Sequence, residues 1–213
     1  MEQKRPCKEN MERPILTKSV KIKKYTKNII YKGNLKVISK LFFSAAPEYL
    51  EIFNKYKINK NIFIKTIINQ AGSELESFYL LENNNKAIGI VSGYSYEDIF
   101  SKKMKSYFII QKLIKSKKKI ISINNITKNF ISLPKFRKES FYLSRLSVLK
   151  KYRKLGYANL LFNKVEKSNQ CKKNKILFLY VISKNIIAIN FYLSKKFKLC
   201  KKKNKFNLMY KTL

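Results

Sequence analysis

The spacing of apolar and polar positions changes period several times along the 213 residues. Lys18 to Tyr25 alternates and predicts a first strand. Gly33-Asn34 then opens a stretch in which Leu35, Ile38, Leu41 and Phe42 recur at helical spacing. A second helical piece starts at Pro47 and carries Tyr49, Leu50, Ile52 and Phe53. A third runs from Asn61 to Ala71 through Ile62, Ile64, Ile67 and Ile68, and Gly72 stops it. Phe78 to Leu81 and Ala87 to Val91 are β-rich runs joined across Asn83-Asn84-Asn85, which tolerate the positive φ of a tight hairpin.

The last third is the most regular. It predicts a strand at Ser140 to Val148 and a helix at Gly156 to Asn169, with Leu160, Leu161 and Val165 on one face. Ile176 to Ile182 is wholly apolar, the signature of a strand buried on both faces. A helix at Asn185 to Leu193 and short strands at Phe197 to Lys201 and Phe206 to Lys211 complete the chain. This alternation implies an α/β (α+β) domain, a mixed sheet with helices on both faces. Residues 1–17, polar and interrupted by Pro6 and Pro14, read as a flexible N-terminal arm. Residues 18–213 read as one domain with an insertion or lid at about 96–137, where Tyr107 to Ile114 looks helical, Lys115 to Lys119 is a charge run and Pro134 marks the end.

Composition narrows the function classes. The formal charge is +36, from 48 basic and 12 acidic residues, but only five of the basic residues are arginine (Arg5, Arg13, Arg137, Arg145, Arg153). Dedicated phosphate readers favour the planar arginine fork. Lysine spread along the whole chain among many Asn and Ile fits nucleotide bias better than a built nucleic-acid surface, although the positive field favours acidic partners either way. There is no histidine, which removes Ser-His-Asp and Cys-His catalysis. Cys7, Cys171 and Cys200 lack zinc or disulfide spacing, so no metal is expected. The charged start is no secretory signal and the seven-residue run Ile176–Ile182 cannot span a bilayer, so a soluble, cytoplasmic protein is expected.

One segment carries chemistry. In Leu146-Ser147-Val148 through Ala158 a strand ends, a basic turn follows and a helix begins near Gly156. The first turn of a helix has unpaired N–H groups at the positive end of its dipole. Gly156 and Ala158 are small enough to let a phosphate approach the backbone, and Lys150, Lys151, Arg153 and Lys154 surround the turn.

With these surroundings the sequence resembles the GNAT superfamily of N-acetyltransferases. The resemblance rests on Arg153-x-x-Gly156-x-Ala158, with Val148 five residues earlier, and on Asn185-x-x-Ala188-x-x-Phe191-Tyr192 after the next strand. It is strongest over residues 140–200, and its topology extends over 18 to 213. It implies a mostly antiparallel sheet whose fourth and fifth strands splay apart. Acetyl-CoA is then the implied cosubstrate, its pantetheine arm paired with the backbone of Leu146, Ser147 and Val148. Its pyrophosphate would lie on Arg153, Lys154, Leu155, Gly156, Tyr157 and Ala158, with Asn185 on the other side. Tyr192 falls where many members place a general acid for the leaving thiolate. The fourth-strand glutamate of some members is replaced by Tyr142, leaving Glu139, Glu76 or a backbone carbonyl as water-relay candidates for a base. Glu97-Asp98, after the third strand, and Tyr142 are acceptor-side candidates. The usual Gly before Phe197 is Lys196, which in a left-handed position costs about 1 kcal/mol more than glycine.

Two function classes fit these features. One is an N-acetyltransferase that acts on a primary amine, whether a protein N-terminus, a lysine or a small molecule, by direct attack on the thioester. The other is a non-catalytic module on the same scaffold that binds RNA or an acidic protein through its lysines. Nucleic acid is the less favoured partner, no membrane association is expected, and monomer and homodimer both fit.

Overall fold

The hairpin is the local anchor of the sheet. In the computed structural model, which describes residues 19–25, 34–76, 78–114, 138–203 and 205–213, strands β2 (Phe78–Asn83) and β3 (Lys86–Ser95) are joined by Asn84 and Asn85 at φ 49° and 60°. Both turn residues are left-handed, which matches the right-handed twist of the strands they connect. Strand β1 (Val20–Tyr25) adds antiparallel to β2, and β4 (Ser140–Val148) adds antiparallel to β3. Strands β5 (Ile176–Ile182), β6 (Lys198–Lys203) and β7 (Phe206–Thr212) complete a seven-stranded sheet in the order β1-β2-β3-β4-β5-β7-β6. Only β4 and β5 pair in parallel, so the sheet is mixed and mostly antiparallel.

Alternation along the strands sends side chains to two cores. On one face, Phe78, Leu80, Ala87 and Ile90 pack with helices α1 (Leu35–Ala45), α2 (Pro47–Lys55), α3 (Lys60–Asn69) and α4 (Asp98–Leu113). Phe42, Phe43, Phe53 and Phe63 interlock there, with ring centroids 4.8–6.2 Å apart. On the other face, Leu81, Val91, Phe141, Leu143 and Leu179 pack with α5 (Tyr157–Glu166), α6 (Asn169–Lys172) and α7 (Ile186–Ser194). Helix α5 sits close because Gly89 leaves room: a Cβ there would lie 2.8 Å from Leu161 Cδ1. Helices on both faces of a mixed sheet are what the sequence pattern implies.

Three boundaries differ from the sequence reading. The helix expected from Gly156 to Asn169 ends at Glu166, and Ser168 caps the separate four-residue α6 by accepting from the Cys171 N–H at 3.3 Å. Serine prefers that capping role to a helix interior. The helix expected at Tyr107 to Ile114 instead spans Asp98–Leu113 and buries Ile99, Lys103, Ser106, Tyr107, Ile109 and Ile110. Lys103 interrupts its apolar stripe, which hid the first half. The final hairpin starts at Lys198 rather than Phe197, whose ring belongs to the α5–α7 core. The arm 1–17 and the rest of the expected insertion, 115–137, lie outside the described residues. Among the described residues no helix is long and apolar enough to cross a membrane.

Candidate active site

Strands β4 and β5 share only three register pairs, Ser140↔Ile176, Phe141↔Leu177 and Tyr142↔Phe178. Beyond Tyr142, β4 stays bonded to β3 and β5 stays bonded to β7, so the two strands part and leave a fork open toward their C-terminal ends. A bulge helps this divergence. Ser92 faces Arg145 while Gly93 faces Leu143, so Ser144 has no partner on β3 and β4 bends there.

The basic turn lies at the open end of the fork. A single 3₁₀ turn, Lys150–Tyr152, follows β4, and Arg153 Nε donates to the Val148 carbonyl at 3.0 Å, fixing the turn to the strand. Lys154 and Gly156 are both left-handed, at φ 63° and 79°, on either side of Leu155. Gly156 is the N-cap of α5, and its carbonyl accepts from Asn159 and Leu160. Among the described residues, the N–H groups of Lys154, Leu155, Gly156, Tyr157 and Ala158 have no hydrogen-bond acceptor. Alternating hands of backbone turn successive amides toward one concavity, and the helix dipole adds positive potential. A Cβ built at Gly156 meets nothing within 4 Å, so the left-handed φ, not crowding, is what favours glycine there. The turn therefore fits a diphosphate.

The other expected residues are distributed around the fork. Leu146, Ser147 and Val148 lie on the part of β4 that pairs with β3 but no longer with β5, with Ser147 Oγ 2.5 Å from Ser44 Oγ of α1. Asn185, just past the end of β5, caps α7 by accepting from the Ala188 N–H at 3.1 Å. Tyr192 is buried between Phe191 and Phe197, at centroid distances of 5.3 and 5.5 Å, and burial pushes its phenol well above the usual range. Lys196 is left-handed, at φ 65°, so the strain expected of a non-glycine residue there is present.

Glu97 and Asp98 are exposed at the start of α4. They follow the end of β3 that faces Phe141, about 23 Å along β4 from Val148. Glu139 is at that same end, exposed and 2.8 Å from Lys175 Nζ, and Glu76 is 3.6 Å from Lys102. Both carboxylates face lysines, and neither is placed in the fork by any described contact. Tyr142, at the apex, stacks on Phe178 at 5.2 Å and meets Tyr94 and Tyr180 edge-on at 5.5 and 6.2 Å.

The sequence reading missed a buried ionic network behind the bulge. Glu74, entirely buried, receives Lys103 Nζ at 2.8 Å, Arg145 Nη2 at 3.0 Å and the Tyr49 hydroxyl. Burial alone would raise its pKa, but the Lys103 and Arg145 charges, with hydrogen bonds from Lys103 and Tyr49, hold the carboxyl at about 2. The Tyr94 hydroxyl lies between Ser144 Oγ at 3.2 Å and Glu74 Oε2 at 3.5 Å; burial, then the Glu74 charge, raises its pKa. Glu74 is therefore a structural anion, too weak a base to take a proton at neutral pH. Its partners lie 29 and 71 residues away, and no spacing in the sequence connects them.

A parallel strand pair that parts, with a row of free amides at its open end, defines the class: a mixed α/β protein with free backbone donors at a strand–helix junction. The chain belongs to the acetyltransferase (GNAT) family, whose model matches residues 40–197. Among solved structures, SsHAT is similar at 12% identity with a TM-score of 0.64, over 91% of this chain and 98% of that one. The PaiA N-acetyltransferase of Thermoplasma acidophilum, in complex with coenzyme A, is similar at 17% identity and 0.54, over 92% and 99%. A GNAT family acetyltransferase of Elizabethkingia anophelis with acetyl-CoA bound is similar at 13% and 0.52, over 92% and 99%. At these identities the likeness is one of fold. No curated protein matches the chain.

Proposed function

We propose that the protein transfers an acetyl group from acetyl-CoA to a primary amine. The observation that carries this reading is the coincidence of the fork with the free-amide turn: β4 loses β5 after Tyr142, and the open end of the gap meets Lys154 to Ala158. Acetyl-CoA supplies an activated thioester when bound. On the side of this chain, the unpaired edge of β4 at Leu146, Ser147 and Val148 offers backbone groups to an extended ligand. The amides of Leu155 to Ala158, with Lys154 and Arg153 around them, offer donors to a diphosphate. Asn185 stands across the fork.

The acceptor nitrogen attacks the thioester carbonyl directly. A C–N bond forms, the C–S bond breaks, and the ammonium proton is lost to water while the thiolate takes a proton. Tyr192, protonated at neutral pH, is the proposed donor to that thiolate. No carboxylate basic enough for the other proton is found in the fork among the described residues, so the amine enters neutral and positioning carries the rate.

Calorimetric titration with acetyl-CoA tests the reading. Binding is expected, and a protein that takes neither acetyl-CoA nor CoA would overturn it. Tyr192→Phe is expected to lower turnover with acetyl-CoA affinity unchanged; unaltered turnover would leave Tyr192 as packing only.

A further inference from the structure

Resting on that reading, the apex of the fork carries a second inference, about the acceptor. Tyr142 and Phe178 are the last pair before the strands part, and Tyr180 is the next residue of β5 on the same face. With Tyr94, Ile99 and Leu208 at its centre and Tyr96 and Tyr210 at its margin, this group forms a cluster separate from both helix-covered cores. It is mostly aromatic, with Tyr96 6.2 Å from Phe178 and Tyr180 6.2 Å from Tyr142.

The Tyr180 hydroxyl is shielded from solvent and has no hydrogen-bond partner. A hydroxyl held in this way is costly, and buried polar groups are nearly always paired. Tyr180 itself is two residues along β5 beyond Phe178, the last residue of the strand that pairs with β4.

Glu97 and Asp98, directly after Tyr96, are exposed acidic residues beside this cluster. Glu74, Glu76, Glu82, Glu139 and Glu166 are each taken by a lysine or arginine. The apex itself is lined by aromatic rings, and the chain as a whole is strongly positive.

We infer that Tyr180, Tyr142 and Tyr96 form the acceptor subsite, and that it takes a primary amine carried on an aromatic or apolar body, with the Tyr180 hydroxyl as hydrogen-bond partner of the amine nitrogen. Aromatic edges and faces pack an aromatic body in offset or edge-on geometry. The same rings desolvate the amine and favour its neutral, nucleophilic form, which removes the need for a nearby carboxylate base. Tyr180 stays protonated, because burial and then the neighbouring Tyr142 and Tyr96 raise its phenol pKa. It positions the amine and does not deprotonate it.

Steady-state acetylation of 2-phenylethylamine and of spermidine, by the wild type and by Tyr180→Phe, tests this. The wild type is expected to favour 2-phenylethylamine at least roughly tenfold in kcat/KM. Tyr180→Phe should raise the KM for that amine about tenfold, the loss of one hydrogen bond to an otherwise unpaired group. Acetyl-CoA affinity by calorimetry should not change, and Tm should hold or rise, because the change removes only a hydroxyl without a partner. A packing role alone predicts the same Tm with an unchanged KM. An unchanged KM, a preference for spermidine, or no turnover of 2-phenylethylamine by a protein that binds acetyl-CoA overturns the subsite and leaves the proposed function standing. Failure to bind acetyl-CoA overturns both.

Discussion

Replacing Gly156 with alanine separates the backbone cost of the turn from its part in binding. Gly156 has φ 79° and ψ −7°, and an added Cβ would touch nothing within 4 Å. The only penalty in the free protein is then the left-handed backbone, about 1–2 kcal/mol. For a chain of this length, that lowers Tm by about 2–8 °C. The methyl group would be added within the turn that carries the free amides of Leu155 to Ala158. Loss of one charge-assisted hydrogen bond from that row costs about 1.5–3 kcal/mol, or roughly tenfold to a hundredfold in acetyl-CoA affinity. Thermal denaturation with and without acetyl-CoA reads both effects. At a concentration 100 times the wild-type Kd, the ligand stabilises the wild type by about 2.7 kcal/mol, and a tenfold weaker variant by about half of that. A variant that loses the expected Tm in the free state but keeps the full acetyl-CoA-induced shift would show that the ligand does not lie on these amides.

Further predictions concern stability. Lys196→Gly should raise Tm by about 2–4 °C by relieving about 1 kcal/mol of left-handed strain at φ 65°; an equal or lower Tm in a melting curve would refute this. Glu74→Gln should cost about 3–5 kcal/mol in urea denaturation, because it leaves Lys103 and Arg145 buried beside a neutral amide. Because the folded Glu74 pKa is depressed to about 2, its contribution is complete above the ordinary carboxylate range and disappears as pH falls through that range toward 2. Wild-type stability should therefore fall more steeply over that window than that of Glu74→Gln, and parallel acid profiles would contradict the assignment.

The elements that the sequence shows well are those whose signal is local. The Asn83–Asn85 turn needs only residues that accept positive φ, and Asn84 and Asn85 both have it. Strand β4 spans Ser140–Val148 as its pattern indicates, and the Gly156 and Asn185 motifs fall at the starts of α5 and α7. In these places the side-chain chemistry and the backbone geometry concern the same few residues, so reading one gives the other. The first half of α4 was hidden because Lys103 occupies a core position, and a buried lysine makes sense only beside Glu74.

By itself, then, the sequence determined the order of the main strands and helices, the turn before Gly156 and the family resemblance. Tertiary structure decided how far β4 and β5 stay paired, which depends on β3, β7 and the bulge at Ser144 acting together. It also decided that Glu74 is a structural anion, and that Tyr180, one letter in the apolar run Ile176–Ile182, places an unpaired hydroxyl at the fork. Each of these rests on groups far apart in the chain. Their electrostatics and hydrogen bonding exist only once the sheet has brought them within a few ångströms of one another.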